Sequence, residues 1–357
     1  MKNNELESAR QQIDALDAEI MERISRRAAL ALETARAKEA GGAFYDPARE
    51  AQVLRRIREA NPGPLSDDGM MRLFREIMSA CLALERPTRV AYLGPEGTFT
   101  HQAAQHHFGH AAEGTPHDNV AEVFREVESR QSEYGVVPVE NSTDGVVAHT
   151  LDLFIESPLK IAGEVELAVH HHLLAGSEDR TALRCVRAHP QALAQCRQWL
   201  DRELPGLDRI SDASNAAAAR YAADHPDTAA IASRAAAEQY DLKILAANIE
   251  DNPNNRTRFL VLGLHDQAPS GEDKTSVLVS AHNQPGALLG LLRPLADAGI
   301  DLTRIESRPT QAINWEYVFF LDIRGHQQDP EVAQALESLH EAAAFCKILG
   351  SYPCALG

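Results

Sequence analysis

From Asn3 to Glu85 apolar residues recur at helical spacing. Ile13, Leu16, Ile20 and Ile24 form one stripe on a long first helix, which the pattern carries to about Glu39, ahead of Gly41-Gly42. Asp46-Pro47 reads as an N-cap followed by proline at the first helical position, opening a helix with Val53, Leu54 and Ile57 on one face. Asn61-Pro62-Gly63-Pro64 stops it, and a third helix carries Leu73, Phe74, Ile77, Met78 and Leu82. The first helix has too few partners here to cover its stripe. Pairing with a second copy of the chain is expected.

Past Arg86-Pro87 the pattern changes to strands alternating with helices. RVAYLG, YGVVPVE, KIAGEVELAV, AAIA and RFLVLGL read as strands; HQAAQHHF, NVAEVFREVES, the run Gln191 to Leu200 and NAAAARYAAD read as helices. A polar linker, Gln267 to Asp273, leads to a tail with the order βαββαβ, the ferredoxin-like pattern, with Pro294 the one oddity inside a helix. The expected boundaries are 1–86, 87–268 and 272–357.

A chain of 357 residues divides into two or three cores. A net charge of −17 argues against nucleic acid and anionic membranes as partners, since both reward a basic surface. The charged amino end and the lack of any stretch of membrane-spanning length predict a cytoplasmic protein. Five scattered cysteines without a CxxC pair indicate neither a disulfide framework nor a zinc site.

The helices place charge where a core belongs. At about 100° per residue, Lys38 points the same way as Ile20, Arg27 lies within roughly 20° of it, and Arg10 sits at the stripe's edge. Buried charge is costly unless paired, so these cations imply an anionic ligand. Glu85 continues the Phe74, Met78, Cys81 face, where an apolar setting would keep it protonated. Arg49 and Glu50 add an ion pair near the same core.

ARQQIDALDAEI, RRAALALETARAK, YDPAREAQVL and LFREIMSACLALE together resemble the all-helical chorismate mutase domain of bacterial P-proteins, fused chorismate mutase–prephenate dehydratases ending in an ACT domain. The resemblance implies that Arg10, Arg27, Lys38 and Arg49 hold the carboxylates and ether oxygen of chorismate, with Arg10 donated by a partner subunit. Asp46 and Glu50 would contact the substrate hydroxyl region. A Claisen rearrangement needs only a held conformer and stabilised charge on the ether oxygen, which arginine forks and a lysine supply. Many relatives carry glutamine in place of Glu85 and serine in place of Cys81; a glutamate acting as the neutral acid predicts mutase activity that fades as pH rises.

Three polar helix starts follow strands: Tyr92 to Thr100 with its glycines, Pro138-Val139-Glu140-Asn141-Ser142-Thr143, and Ser211 to Asn215. Amides at helix starts favour anions, so a two-lobed fold with a carboxylate cleft is expected. NNRTRF sets Thr257 at the mouth of a buried strand between Arg256 and Arg258. Glycine loop, ENST and TRF in this order resemble the prephenate dehydratase domain. That resemblance implies Thr257 as the catalytic hydroxyl assisting departure of the ring hydroxide, Arg258 as a carboxylate binder, and Asn141, Thr143 and Gln195 as substrate contacts. Which of Arg256 and Arg258 binds stays open. Aromatisation drives the reaction, so no metal or organic cofactor is expected. Ala188 stands where serine usually precedes His189-Pro190. His170-His171-His172 reads as a satisfied or surface run, since alternate residues of a strand point to opposite faces.

Gly286-Ala287-Leu288-Leu289 and Glu306-Ser307-Arg308-Pro309 resemble the paired loops of the family's ACT domain, implying that the pathway end product, L-phenylalanine, binds at a subunit interface and inhibits. The expected architecture is therefore multidomain: an all-α mutase domain, a two-lobed α/β dehydratase domain and an α+β ferredoxin-like ACT domain. The expected function is conversion of chorismate to prephenate and of prephenate to phenylpyruvate by a homodimer or higher oligomer. The alternatives are a dehydratase with a degenerate mutase domain, or a non-catalytic amino-acid sensor.

Overall fold

The computed structural model describes residues 2–37, 45–281, 284–309 and 317–355. Lys38 lies outside them. Three helices, Lys2–Ala37, Pro47–Ala60 and Asp67–Ala83, form the amino-terminal segment. Asp46 caps the second as its spelling predicts: its Oδ1 accepts from Arg49 N at 3.0 Å, with Pro47 in the first turn. The first helix is about 54 Å long. It leaves Leu6, Ile13, Leu16, Ile20 and Met21 at least half exposed, so the described residues leave its apolar stripe largely uncovered.

The middle of the chain folds into two lobes. The first lobe is built on a sheet ordered Glu113–His117, Arg89–Leu93, Tyr134–Asn141, Arg256–Gly263, Lys160–Ala168. The second lobe carries the order Lys243–Ala246, His172–Ala175, Thr228–Ala232, Cys185–Ala188, Asp208–Ser211. The chain thus leaves the first lobe after Ala168 and returns at Arg256. The two crossings are zipped together by Val169 N to Asn255 O and Ile249 N to His171 O, each 2.8 Å.

Several of these strands are absent from the hydrophobic pattern. Glu113–His117 and Asp208–Ser211 are edge strands with almost every residue exposed, so no alternation marks them. Lys243–Ala246 is also an edge strand, and His172–Ala175 and Cys185–Ala188 are only four residues each. The histidine run is not one extended strand: only His172 enters a strand, while His171 and His172 are both buried.

The tail forms a sheet ordered Leu302–Pro309, Tyr317–Arg324, Asp273–Ser280, Phe345–Pro353, with helices Ala287–Asp297 and Pro330–Ala342 on one face. Pro294 does sit inside the first of these helices. The sheet's other face is not open to solvent. Leu278, Val318, Phe320, Leu349 and Tyr352 join Val137, Phe154 and Leu260 of the first lobe in one continuous core. Burial on this scale makes the tail an integral layer of the first lobe.

Candidate active sites

Strand pairing brings two of the expected residues face to face. Thr257 lies opposite Asn141 in the antiparallel ladder, and Asn141 Nδ2 donates to Thr257 Oγ1 at 2.7 Å. Thr257 is 8% exposed. Because its oxygen accepts from the amide, its own O–H stays free to donate into the cleft. Asn141 Oδ1 in turn accepts from Thr143 N at 2.9 Å and Asp144 N at 3.1 Å, folding the ENST segment into a tight polar turn.

The second lobe closes on that turn. Gln195, at the end of helix Pro190–Gln195, donates from Nε2 to Asp144 Oδ2 at 2.6 Å, and Gln191 Nε2 donates to the same oxygen. Gln195 Oε1 accepts from Asn255 Nδ2 at 3.1 Å and lies 2.8 Å from His171 Nε2. Asn141, Thr143, Gln195 and Thr257 therefore form one cluster across the lobes. Asp144, His171 and Asn255 belong to it too and were not singled out from the sequence. The histidine triplet and the second asparagine of NNRTRF were the only local signals.

Arg258 is not part of this cleft. Successive residues of a strand face opposite ways, so Arg258 points away from Thr257. Its Nε lies 2.8 Å from Glu164 Oε2, its Nη1 2.6 Å from Asp322 Oδ2, and its Nη2 3.0 Å from Tyr352 Oη. Glu164 also takes Lys274 Nζ at 2.7 Å. Two cations meet two carboxylates, leaving no unpaired charge for a substrate carboxylate. The expected role of Arg258 as a binder is corrected accordingly. Arg256 shares that strand face and is exposed. Side-chain amides of Asn141, Gln191, Gln195 and Asn255 gather around Thr257 and Asp144.

The other helix starts have mixed roles. Phe99 opens a helix capped by Thr98 and stands edge-on to the His171 ring, centroids 5.7 Å apart, so this helix start does face the cluster. Its glycine loop also fastens the lobes: Ser233 Oγ donates to Gly97 O at 3.0 Å and Tyr240 Oη to Glu96 O at 3.0 Å. Gly97 has φ +82° and a Cβ there would lie 3.2 Å from Ala236 Cα, so glycine is required. Asp212 binds Arg187 through two hydrogen bonds of 2.7 and 2.9 Å, and Ala188 is wholly buried.

The helical segment holds a cavity of about 380 Å³ lined by Arg27, Asp46, Arg49, Glu50 and Met78, with Thr88 and Phe108 closing it from the first lobe. Arg27 and Arg49 thus meet as expected. Glu50 lies 3.6 Å from Arg75 Nε, and burial pushes its carboxyl up to about 7 against the pull of that guanidinium. Cys81 is buried. Arg10 is exposed far along the free helix. Glu85 departs from expectation: the helix ends at Ala83, so Glu85 leaves the Phe74, Met78, Cys81 face and is only half-buried. The carboxylate held in an apolar setting is Glu50.

In the tail, Gly286 takes a left-handed conformation, φ 80°, at the start of its helix, with Leu288 and Leu289 exposed. Glu306, Ser307, Arg308 and Pro309 end the sheet's edge strand. Arg308 reaches out of the tail to Asp152, 3.0 Å from both oxygens.

Comparison with known proteins agrees with this arrangement. Family models match in chain order: chorismate mutase type II over residues 9–86, prephenate dehydratase over 90–267 and the ACT domain over 275–341. A bifunctional chorismate mutase/prephenate dehydratase of Stutzerimonas stutzeri is 51% identical over 360 residues, covering 99% of each chain. The crystal structure of an Arthrobacter aurescens prephenate dehydratase in complex with L-Phe matches with TM-score 0.69 and 36% identity, covering 74% of this chain and 90% of that one. A chain described as a novel type of quorum quenching acylase matches with TM-score 0.69 and 31% identity, covering 75% of this chain and 98% of that one. Fold and sites define a fusion of a helical mutase, a two-lobed dehydratase and an ACT domain. The chain belongs to the bifunctional chorismate mutase/prephenate dehydratase family.

Proposed function

We propose that this chain rearranges chorismate to prephenate in the helical cavity and converts prephenate to phenylpyruvate in the interlobe cleft. The observation that carries the second step is the Asn141 to Thr257 hydrogen bond of 2.7 Å. With its oxygen held as acceptor, Thr257 donates its proton toward the ring hydroxyl as that group leaves. Carbon dioxide departs from the other end of the ring, and aromatisation supplies the driving force. Asn141, Thr143 and Gln195 hold the substrate, whose carboxylate displaces that of Asp144 from the two glutamine amides. Thr257→Ala tests this assignment: prephenate turnover falls by about a hundredfold or more while chorismate is still consumed.

For the mutase step, Arg27 and Arg49 clamp the carboxylates of chorismate. Asp46 lines the same cavity, and the role of Lys38 at the ether oxygen is carried by the resemblance alone. The exposed stripe Leu6, Ile13, Leu16, Ile20, Met21 supports a homodimer in which the long helix lies on a second copy and carries Arg10 into the partner's cavity. Glu50 lines the cavity, whereas Cys81 and Glu85 are not among its lining residues.

L-Phenylalanine is the proposed regulator, bound between the Gly286 to Leu289 helix start and the Glu306 to Pro309 edge strand of neighbouring copies. Exposed leucines and an unpaired strand edge support such an interface. Binding is expected to favour a less active state of the dehydratase. A titration of prephenate turnover with L-phenylalanine tests it.

A further inference from the structure

The histidine triplet contains a buried ring that neither proposed reaction yet uses. His171 is 2% exposed and stands on the first crossing between the lobes. Its backbone is fixed on both sides: its N–H donates to Glu250 Oε2 at 2.9 Å and its carbonyl accepts from Ile249 N at 2.8 Å. The ring therefore projects from a rigid mount.

The ring's contacts decide its protonation. Nε2 lies 2.8 Å from Gln195 Oε1, an oxygen that already receives Asn255 Nδ2 at 3.1 Å. An amide oxygen only accepts, so Nε2 carries the hydrogen. Nδ1 is buried with no partner among the described residues. A protonated ring would add a second N–H there with nothing to receive it, at the cost of an unsatisfied buried donor. Burial accordingly lowers the ring's basicity, opposed by the Gln195 bond and the Glu250 and Asp144 carboxylates and assisted by His170.

The consequence falls on Gln195. With two donors fixed on Oε1, its amide has one orientation, and Nε2 is turned toward Asp144 Oδ2 at 2.6 Å. We propose that His171 is a positioning residue for the dehydratase reaction, its neutral ring locking the Gln195 amide so that Nε2 presents its hydrogens to a substrate carboxylate. This rests on the reading of Gln195 as a substrate contact. Without the ring, Asn255 Nδ2 alone holds Oε1, and the amide turns its oxygen more readily toward that carboxylate, a repulsive contact in place of an attractive one.

The test uses the full-length chain with four substitutions: His171→Leu, His171→Gln, Gln195→Ala and the His171→Leu/Gln195→Ala pair. Prephenate kcat and KM are measured separately, with the mutase rate on chorismate as a check of folding. His171→Leu is expected to lower kcat/KM for prephenate by about tenfold or more, chiefly through KM. His171→Gln, which keeps a donor at similar reach, recovers most of the loss. In the Gln195→Ala background His171→Leu has no further effect. Multiplying losses in the pair, or a His171→Gln chain as slow as His171→Leu, would overturn the inference. If Gln195→Ala is as fast as the parent, the reading of Gln195 itself fails. Should His171→Leu lose the mutase rate as well, the His171→Gln comparison decides.

Discussion

Arg258 Nη1 lies 2.6 Å from Asp322 Oδ2, joining the strand that carries Thr257 to the central strands of the ACT sheet. One ladder step away, Glu140, the neighbour of Asn141, is held 2.9 Å from Arg304 of the same sheet. Both strands that present the dehydratase pair are thus gripped from behind at the adjoining residue. The proposed regulator would act on the cleft through these contacts. Asp322→Asn removes one charge from a buried pair and is expected to lower unfolding stability by about 2 kcal/mol. The same chain should need about tenfold more L-phenylalanine for half-inhibition. Denaturant unfolding and an inhibition curve check the two effects separately, and unchanged inhibition would rule out this route of coupling.

The two arginines of the helical cavity give a prediction confined to the other reaction. Arg27→Ala and Arg49→Ala are each expected to reduce the mutase kcat/KM by about tenfold to a hundredfold, the loss of a charge-assisted hydrogen bond. Prephenate turnover should stay at the parental rate. Equal losses in both reactions would show that the substitutions disturb the fold rather than the site.

Oligomerisation is tested on the exposed stripe. Ile13→Glu with Ile20→Glu places charge on the face that the dimer buries, and sedimentation should show a lighter species than the parent. Mutase activity falls with it if Arg10 comes from the partner. A parental sedimentation profile would exclude this helix as the interface.

Stability should respond to pH in two opposed ways. Glu50, raised by burial to about 7, keeps its proton in the folded chain where the unfolded chain has lost it. Its contribution is complete below about pH 4.5 and is lost as pH rises through about 7. His106 and His107, lowered by burial to about 4 and about 3, act in reverse, and their contribution is lost as pH falls below about 6.5. Glu50→Gln should therefore flatten the decline in unfolding temperature between about pH 5 and pH 8. An unchanged slope would assign that decline to other groups.

Local chemistry was the legible part of this chain. Asp46-Pro47 announced a capped helix and Pro294 its own irregularity, and resemblance alone put the TRF and ENST segments in one site; that they meet across a strand pair came from the fold. Partnership between distant segments was hidden. The strand alternation around Thr257 is written in the sequence, yet nothing there shows that Glu164 and Asp322 converge on Arg258. Glu85 was misplaced because the helical period was extended two residues past the true end at Ala83, while Glu50 drew its burial from Arg75 and Tyr45 on neighbouring elements. His171 looked like one of three equal histidines until the crossings between lobes enclosed it.

The most direct measurement supplies chorismate alone to the parent and to Thr257→Ala and follows prephenate and phenylpyruvate together. The account predicts phenylpyruvate from the parent, and from Thr257→Ala prephenate that accumulates at the parental rate of chorismate loss with phenylpyruvate formation slowed by about a hundredfold or more. Phenylpyruvate appearing at the parental rate from Thr257→Ala, or a parent that leaves chorismate untouched, would contradict it.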